Sequence, residues 1–226
     1  MKLLALDTSS EYCSAALWID GESLVRDVRA GQRHSELLLG MIDELLKESG
    51  LELRSLNGIA YGEGPGSFTG LRIACGVVQG LAFGAGLPVV GVGTLLAMAE
   101  GSGAQRVACC LDARMNEVYF AAYTRADPSW AAVHEPRVCA PDAVPDLTGG
   151  DWIGCGSGFA VYRELLAARF DAAIVAIDAE RYAHARDIAA LAAPAFAAGQ
   201  ARSAEHAIPV YIRDKVALRI DERANR

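Results

Sequence analysis

The sequence predicts an α/β chain built twice over: two domains, each with a mixed sheet that opens on a three-strand antiparallel meander and continues in helix and strand alternation. Three observations carry this prediction. Short apolar runs with polar connections recur at the start of each half, at 2–29 and again at 106–139. After each meander, apolar runs alternate with helical segments, the order that lays helices against a sheet. Between the halves, Gly101-Ser102-Gly103 breaks the pattern and divides the chain into 1–102 and 103–226. With 226 residues, 52% hydrophobic and 22% charged, the chain is long enough for one large or two small domains with real cores.

The first half opens with KLLALD (2–7), YCSAALWI (12–19) and ESLVRDVR (22–29), joined by TSSE and by Asp20-Gly21, a tight-hairpin signal. A helix is expected from Gln32 to Ser49, stopped by Gly50. Its apolar residues, Leu37, Leu38, Leu39, Met41, Ile42, Leu45 and Leu46, spread over about 200° at 100° per residue. One core surface needs less, so part of that arc is expected to meet something else. His34 opens this helix beside Ser35 and Glu36, a context that suits capping.

A strand at 58–62 then leads into GEGPGS, a turn in which Pro65 fixes φ and the glycines allow conformations closed to other residues. Ser67 or Thr69 can cap the helix that follows, apolar on almost every side from Phe68 to Phe83 and interrupted only by Arg72 and Gln79. A helix of that kind is expected to be buried. Gly76, Gly80 and Gly84 recur every fourth residue, each costing roughly 1 kcal/mol relative to alanine, which implies a close neighbour. At 3.6 residues per turn, Arg72, Gly76, Gln79, Gly80 and Phe83 share one side, a mixture that suits a partner better than a core. A strand at 88–92 and a helix from Thr94 to Glu100 complete the half.

The second half repeats the plan with RVACCLDA (106–113), EVYFAAYT (117–124) and a strand near 131–139. A loop with three prolines leads to a strand at 152–155, a helix from Phe159 to Phe170, a strand at 173–177, an alanine-rich helix at 185–199 and the closing PVYIR at 209–213. This is the signature of a duplicated fold.

Net charge is −7 with no block of lysine or arginine, which argues against unaided nucleic-acid binding. Asp7 ends the first apolar run short of signal-peptide length, and no apolar run is read as long enough to span a bilayer. The six cysteines (13, 75, 109, 110, 139 and 155) have no Cys-x-x-Cys spacing and act as small hydrophobes, which implies a reducing, cytoplasmic compartment.

Asp7, followed by Thr8, Ser9 and Ser10, ends the first strand. An acid before small hydroxyl residues in a hairpin turn can hold a metal-bound phosphate, as in the actin, sugar-kinase and heat-shock ATPase superfold; the same four residues also make a good plain turn. The matching loop of the second half is Leu111-Asp112-Ala113-Arg114, where alanine and arginine replace glycine. Gly66 and Ser67 in GPGSFTG can offer N–H groups to an anion at a helix start, although the P-loop lysine is missing. GCGSGFA (154–160) can pack an adenine in that superfold or serve as a turn. Glu117 and Tyr119 can face a cleft or lie on an ordinary strand surface. The four histidines (34, 134, 184 and 206) lack helix-ligand spacing, so no metal site is expected.

Together, LALDTSS (4–10), RHSELLLGMID (33–43), GEGPGSFTGLRIACGVVQGLA (62–82), DARMNEVY (112–119) and PVYIR (209–213) resemble the bacterial TsaB family over nearly the whole chain, with GPGSFTGLR the specific signal. The resemblance implies a duplicated actin-like, ribonuclease H-like fold. It also implies a non-catalytic subunit of the assembly that places threonylcarbamoyl on the N6 of the adenosine beside the anticodon. The implied partners are TsaD, which carries the metal and the active site, and the ATPase TsaE. The chain is expected to pair with itself when TsaD is absent, and to meet tRNA only through the complex and no membrane. Tight cofactor binding is not expected; the complex uses ATP, and a nucleotide is conceivable at the partner interface. In that family the partner is bound through helices that carry over onto 33–48 and 68–84, here His34, Leu37, Leu38, Met41, Leu45, Arg72, Gly76, Gln79, Gly80 and Phe83. Where the catalytic relative has two histidines four apart, this chain reads VGTLLAMAEG. The alternative is an ATP-dependent kinase or a glycoprotease-like peptidase of the same superfold.

Overall fold

The computed structural model describes residues 1–127, 129–170 and 173–213. Strands β1 (Lys2–Asp7), β2 (Tyr12–Ile19) and β3 (Glu22–Arg29) form the first antiparallel meander, turned at Asp20 (φ 49°) and Gly21 (φ 104°). Strands β4 (Gly58–Gly64) and β5 (Val89–Gly93) join it in parallel, giving the order β3-β2-β1-β4-β5. The second sheet consists of β6 (Arg106–Asp112), β7 (Val118–Ala126), β8 (Ser129–Cys139), β9 (Trp152–Cys155) and β10 (Ile174–Asp178). Its order, β8-β7-β6-β9-β10, repeats that of the first, with the same strand senses. Two copies of this order make the duplicated actin-like, ribonuclease H-like fold.

The strand period of two sorts large from small side chains. Leu4, Leu6, Leu17 and Ile59 point to the outer face of the first sheet, where α1 (His34–Ser49) and α2 (Phe68–Ala85) cover them. Ala5, Ala16 and Ala60 point inward to α3 (Thr94–Ser102) and α6 (Ala185–Ala197), which also meet Val107, Cys109 and Ala121 of the second sheet. The two sheets therefore share one middle layer of helices. Alanines on both sides let α6 come close, and a Cβ on Gly58 would stand 2.1 Å from the Phe196 ring. On the far side of the second sheet, α4 (Gly158–Val161) and α5 (Arg163–Phe170) close a third core around Phe120, Phe159 and Phe170. The six cysteines are free, and five are buried.

Three expectations change. The division at 102/103 separates the strands of the two sheets but not the chain, because α6 packs on the first sheet. Ala204 and Ala207 also enter the first core, and Arg202 bridges to Val89. The helix expected over 159–170 is broken at Tyr162 (φ −115°, ψ 37°), whose hydroxyl donates to Asp112. Among the described residues, α2 is the one helix long and apolar enough to cross a membrane, with 18 residues and a mean hydropathy of 1.3, where the sequence reading found no such run. It lies along the sheet instead, with Leu71, Ala74, Cys75, Val78 and Ala82 buried.

Candidate partner-binding face and interdomain cleft

Ser67 caps α2 by accepting the Gly70 N–H at 3.2 Å, and the turn after β1 is locked beneath this helix start. The Ser67 N–H donates to the Ser9 carbonyl and the Thr8 hydroxyl to the Gly70 carbonyl, both at 2.7 Å. Backbone approaches so closely here that a Cβ on Gly70 would stand 1.9 Å from the Thr8 carbonyl oxygen, and one on Gly66 2.5 Å from that of Ser9. Thr8 and Ser9 are buried, and Asp7 is 1% exposed. Asp7 Oδ1 accepts the Ser9 N–H at 3.0 Å and the Ser9 hydroxyl at 2.9 Å, while Oδ2 has no hydrogen-bond partner among the described residues. Desolvation pushes this carboxyl up to about 7, against the opposing pull of the Ser9 hydrogen bonds.

A phosphate loop presents open donors, and here the Ser9 and Ser67 N–H groups and the Thr8 hydroxyl are spent on Asp7, Ser9 and Gly70. Asp112 is similarly occupied: Oδ1 accepts the Arg114 N–H at 2.9 Å and the Tyr162 hydroxyl at 3.3 Å, and Oδ2 pairs with the Arg114 guanidinium at 3.0 Å. The GCGSGFA turn is filled by protein, because a Cβ on Gly154 would meet the Phe159 ring at 2.9 Å and one on Gly158 the Cys110 sulfur at 2.5 Å.

Beyond the carboxyl ends of the strands, a cleft of about 1190 Å³ separates the two domains, lined in part by Tyr12, Phe68, Tyr119, Tyr182 and Tyr211. Tyr12 and Tyr182 stack with centroids 3.8 Å apart. The segment 208–213 crosses this cleft. Val210 donates its N–H to the Glu63 carbonyl at 2.7 Å, and Arg213 pairs with Glu117 and donates to Met115 Sδ at 3.2 Å. Tyr119 thus faces the cleft and Glu117 holds Arg213. Arg114, Met115 and Asn116, which shape that turn, all have left-handed φ near +60° (60°, 57° and 59°).

The open side of α2 lies opposite its buried stripe. Gly76, Gly80 and Gly84 have nothing within 4 Å of the Cβ each would carry, and Phe83 is 84% exposed. No neighbour within the described chain occupies the space those glycines leave. One border of the stripe is Phe68, Arg72 and Gln79. Arg72 lies 3.6 Å over the Phe68 ring and donates to the Tyr211 hydroxyl at 2.9 Å, and Gln79 donates to the Ala207 carbonyl at 3.0 Å. At 100° per residue the other border is Ile73 and Val77, on the flank that meets α1. There Gly40 is also open and Leu39 is 53% exposed.

The sequence reading placed His34, Leu38, Met41 and Leu45 on the partner face, and this is corrected. All four are buried, the three apolar ones in the first core, and Leu37 is partly buried against that core. His34 Nε2 donates to the carbonyls of Ser10 and Tyr12, at 3.0 and 3.2 Å. Two carbonyl acceptors fix which ring nitrogen carries the proton. His34 does not cap the helix; Arg33 occupies that position without a side-chain hydrogen bond. The outward contribution of α1 is Leu39, within the predicted apolar arc but not among the residues selected from it.

A family model described as TsaD, tRNA N6-adenosine threonylcarbamoyltransferase, matches residues 28–219. The tRNA threonylcarbamoyladenosine biosynthesis protein TsaB of Escherichia coli is 40% identical, with 96% of each chain covered. The protein of that name from Haemophilus influenzae is 36% identical over 96% of this chain and 95% of its own. A solved structure described as YeaZ from Pseudomonas aeruginosa superposes with a TM-score of 0.86 at 41% identity, over 93% of this chain and 99% of its own. A second, described as similar to the peptidase YeaZ, superposes equally well at 0.86 over 94% of this chain. Since both sequence and fold agree with these relatives from end to end, the chain belongs to the TsaB/YeaZ family.

Proposed function

We propose that this chain is a non-catalytic subunit of the assembly that makes threonylcarbamoyladenosine in tRNA, and that it binds and stabilises the catalytic threonylcarbamoyltransferase, TsaD, through the open face of α2 and Leu39 of α1. The observation that carries the proposal is the stripe Gly76, Gly80, Gly84 beside exposed Phe83, with nothing of the described chain within 4 Å of the Cβ each glycine would carry. Three helix-interior glycines cost roughly 1 kcal/mol each, and a partner helix packed against the bare backbone offsets that cost. TsaE joins this assembly in the cytoplasm, tRNA is met only within it, and any nucleotide lodges at the partner interface while the complex uses ATP. Without TsaD, the same apolar stripe lets the chain pair with itself.

A kinase of this superfold would need an accessible acid after β1, where Asp7 is closed off, and a peptidase would need the two histidines that VGTLLAMAEG lacks. Alone, the purified chain is therefore expected to turn over neither ATP nor peptide. The deciding experiment is co-purification with TsaD. Gly80→Leu is expected to lose the partner while keeping its circular dichroism spectrum, and undiminished co-purification by a folded variant would refute the assigned face.

A further inference from the structure

We infer that Ile208–Arg213 is a strap that couples the closure of the interdomain cleft to the partner-binding readiness of α2. This rests on the face assigned above and adds a means of regulating it.

The strap touches β4, α2 and the turn before β7 in the second half. At its start, Ile208 donates its N–H to the Tyr61 hydroxyl at 3.1 Å. In its middle, Val210 pairs with Glu63, and its carbonyl lies so close to Gly64 that a Cβ there would stand 2.8 Å away. This anchors the strap to the end of β4, immediately before the turn that starts α2. Tyr211 then takes up the Arg72 guanidinium and packs its ring 5.6 Å from that of Phe68. At the far end Arg213 reaches the second domain, where it pairs with Glu117 and donates to the Arg114 carbonyl at 3.4 Å.

The consequence is mechanical. Phe68 and Arg72 border the glycine seam, Tyr211 packs on both, and Tyr211 is two residues from Arg213, whose ion pair with Glu117 is one of the contacts between the two halves. When the cleft is closed the ion pair forms, the strap is held at both ends and that border is pre-ordered for docking. When the cleft opens, Arg213 leaves Glu117, the strap stays fixed only on its β4 side, the Tyr211–Arg72 contact is less firmly ordered, and a partner must complete that order at a cost in affinity. The turn at Arg114–Asn116, whose three residues hold left-handed φ, lies where the latch closes. Linkage makes the effect reciprocal, so a partner seated on α2 also favours the closed cleft.

The test compares Arg213→Ala, Glu117→Ala and the exchanged pair Glu117→Arg with Arg213→Glu, in the full chain, against Gly80→Leu. The readouts are the dissociation constant for purified TsaD and the rate of chymotryptic cleavage after Tyr211 in the free chain. Each alanine variant is expected to bind TsaD roughly tenfold more weakly and to be cut roughly tenfold faster, with the exchanged pair recovering most of both. If Arg213→Ala binds as the parent does while Gly80→Leu does not bind, the strap proposal is overturned and the face stands. Undiminished TsaD binding by Gly80→Leu overturns the face, and the strap's role with it.

Discussion

Asp7 and Gly62 are in such close contact that a Cβ built on the glycine would stand 2.0 Å from the carboxylate oxygen Oδ2. The acid is walled in by backbone and by Thr94, and its second oxygen finds no partner among the described residues. Below about pH 4 folded and unfolded chains both hold the proton. Between there and about 7 the unfolded chain has lost it and the folded chain retains it, so stability falls as pH rises and levels off above the folded value. The full span amounts to about 4 kcal/mol. Asp7→Asn keeps the oxygen that accepts from Ser9 and has nothing to ionise. Urea unfolding at pH 5 and pH 8 is expected to show the variant gaining on the parent as pH rises; a constant difference would mean that Asp7 is not desolvated.

Two glycines in the same helix should respond in opposite ways to alanine. At Gly70 the new methyl meets the Thr8 carbonyl oxygen, which cannot move without breaking the turn after β1, so Gly70→Ala is expected to lose at least about 2 kcal/mol. At Gly76 the methyl meets nothing, and better helix propensity should stabilise the chain by roughly 0.5–1 kcal/mol. Thermal unfolding of the two variants checks both signs.

Gly76→Leu with Gly80→Leu should separate stability from function. Both side chains project into open space, so the double variant is expected to melt no lower than the parent. Its TsaD binding should fall below detection, because two leucines fill the seam. Calorimetry on the mixed proteins, alongside a melting curve, tests both halves of this statement.

His34→Ala removes one buried donor shared by two carbonyls at the hairpin start, Ser10 and Tyr12. The expected loss is about 1–3 kcal/mol, the usual consequence of leaving buried acceptors unmet. His34→Gln, which retains a side-chain N–H donor, should recover part of it. Equal losses in urea unfolding for both variants would mean that the ring's bulk, rather than its hydrogen bond, is what the site uses.

The elements themselves were legible because each is punctuated locally. Asp20-Gly21 turns the first hairpin, and Gly50, Gly86 and Gly103 end their helices in the left-handed conformation. The glycine stripe was legible as an unfilled face because its spacing matches the helical repeat. What was not legible depends on contacts distant in sequence. The apolar arc of α1 does not say which side meets the sheet; in the fold Leu38 and Leu45 are buried and Leu39 is exposed. Thr8 is sealed by Gly70, 62 residues away, and Arg213 finds Glu117 across 96. The small-residue surface of α6 suits either sheet equally, and only the fold reveals that it serves both.

That shared middle layer has a consequence for how the protein is made. Ala5, Ala16 and Ala60 leave the ribosome early, yet the α6 residues that cover them are translated about 130 to 180 positions later. At ordinary elongation rates of about 5–20 residues per second the nascent first sheet keeps that apolar surface wet for roughly 6–36 s, long enough to attract a chaperone. A message truncated before codon 185 would yield a product that cannot shield this surface, so the two halves cannot be produced as independent modules.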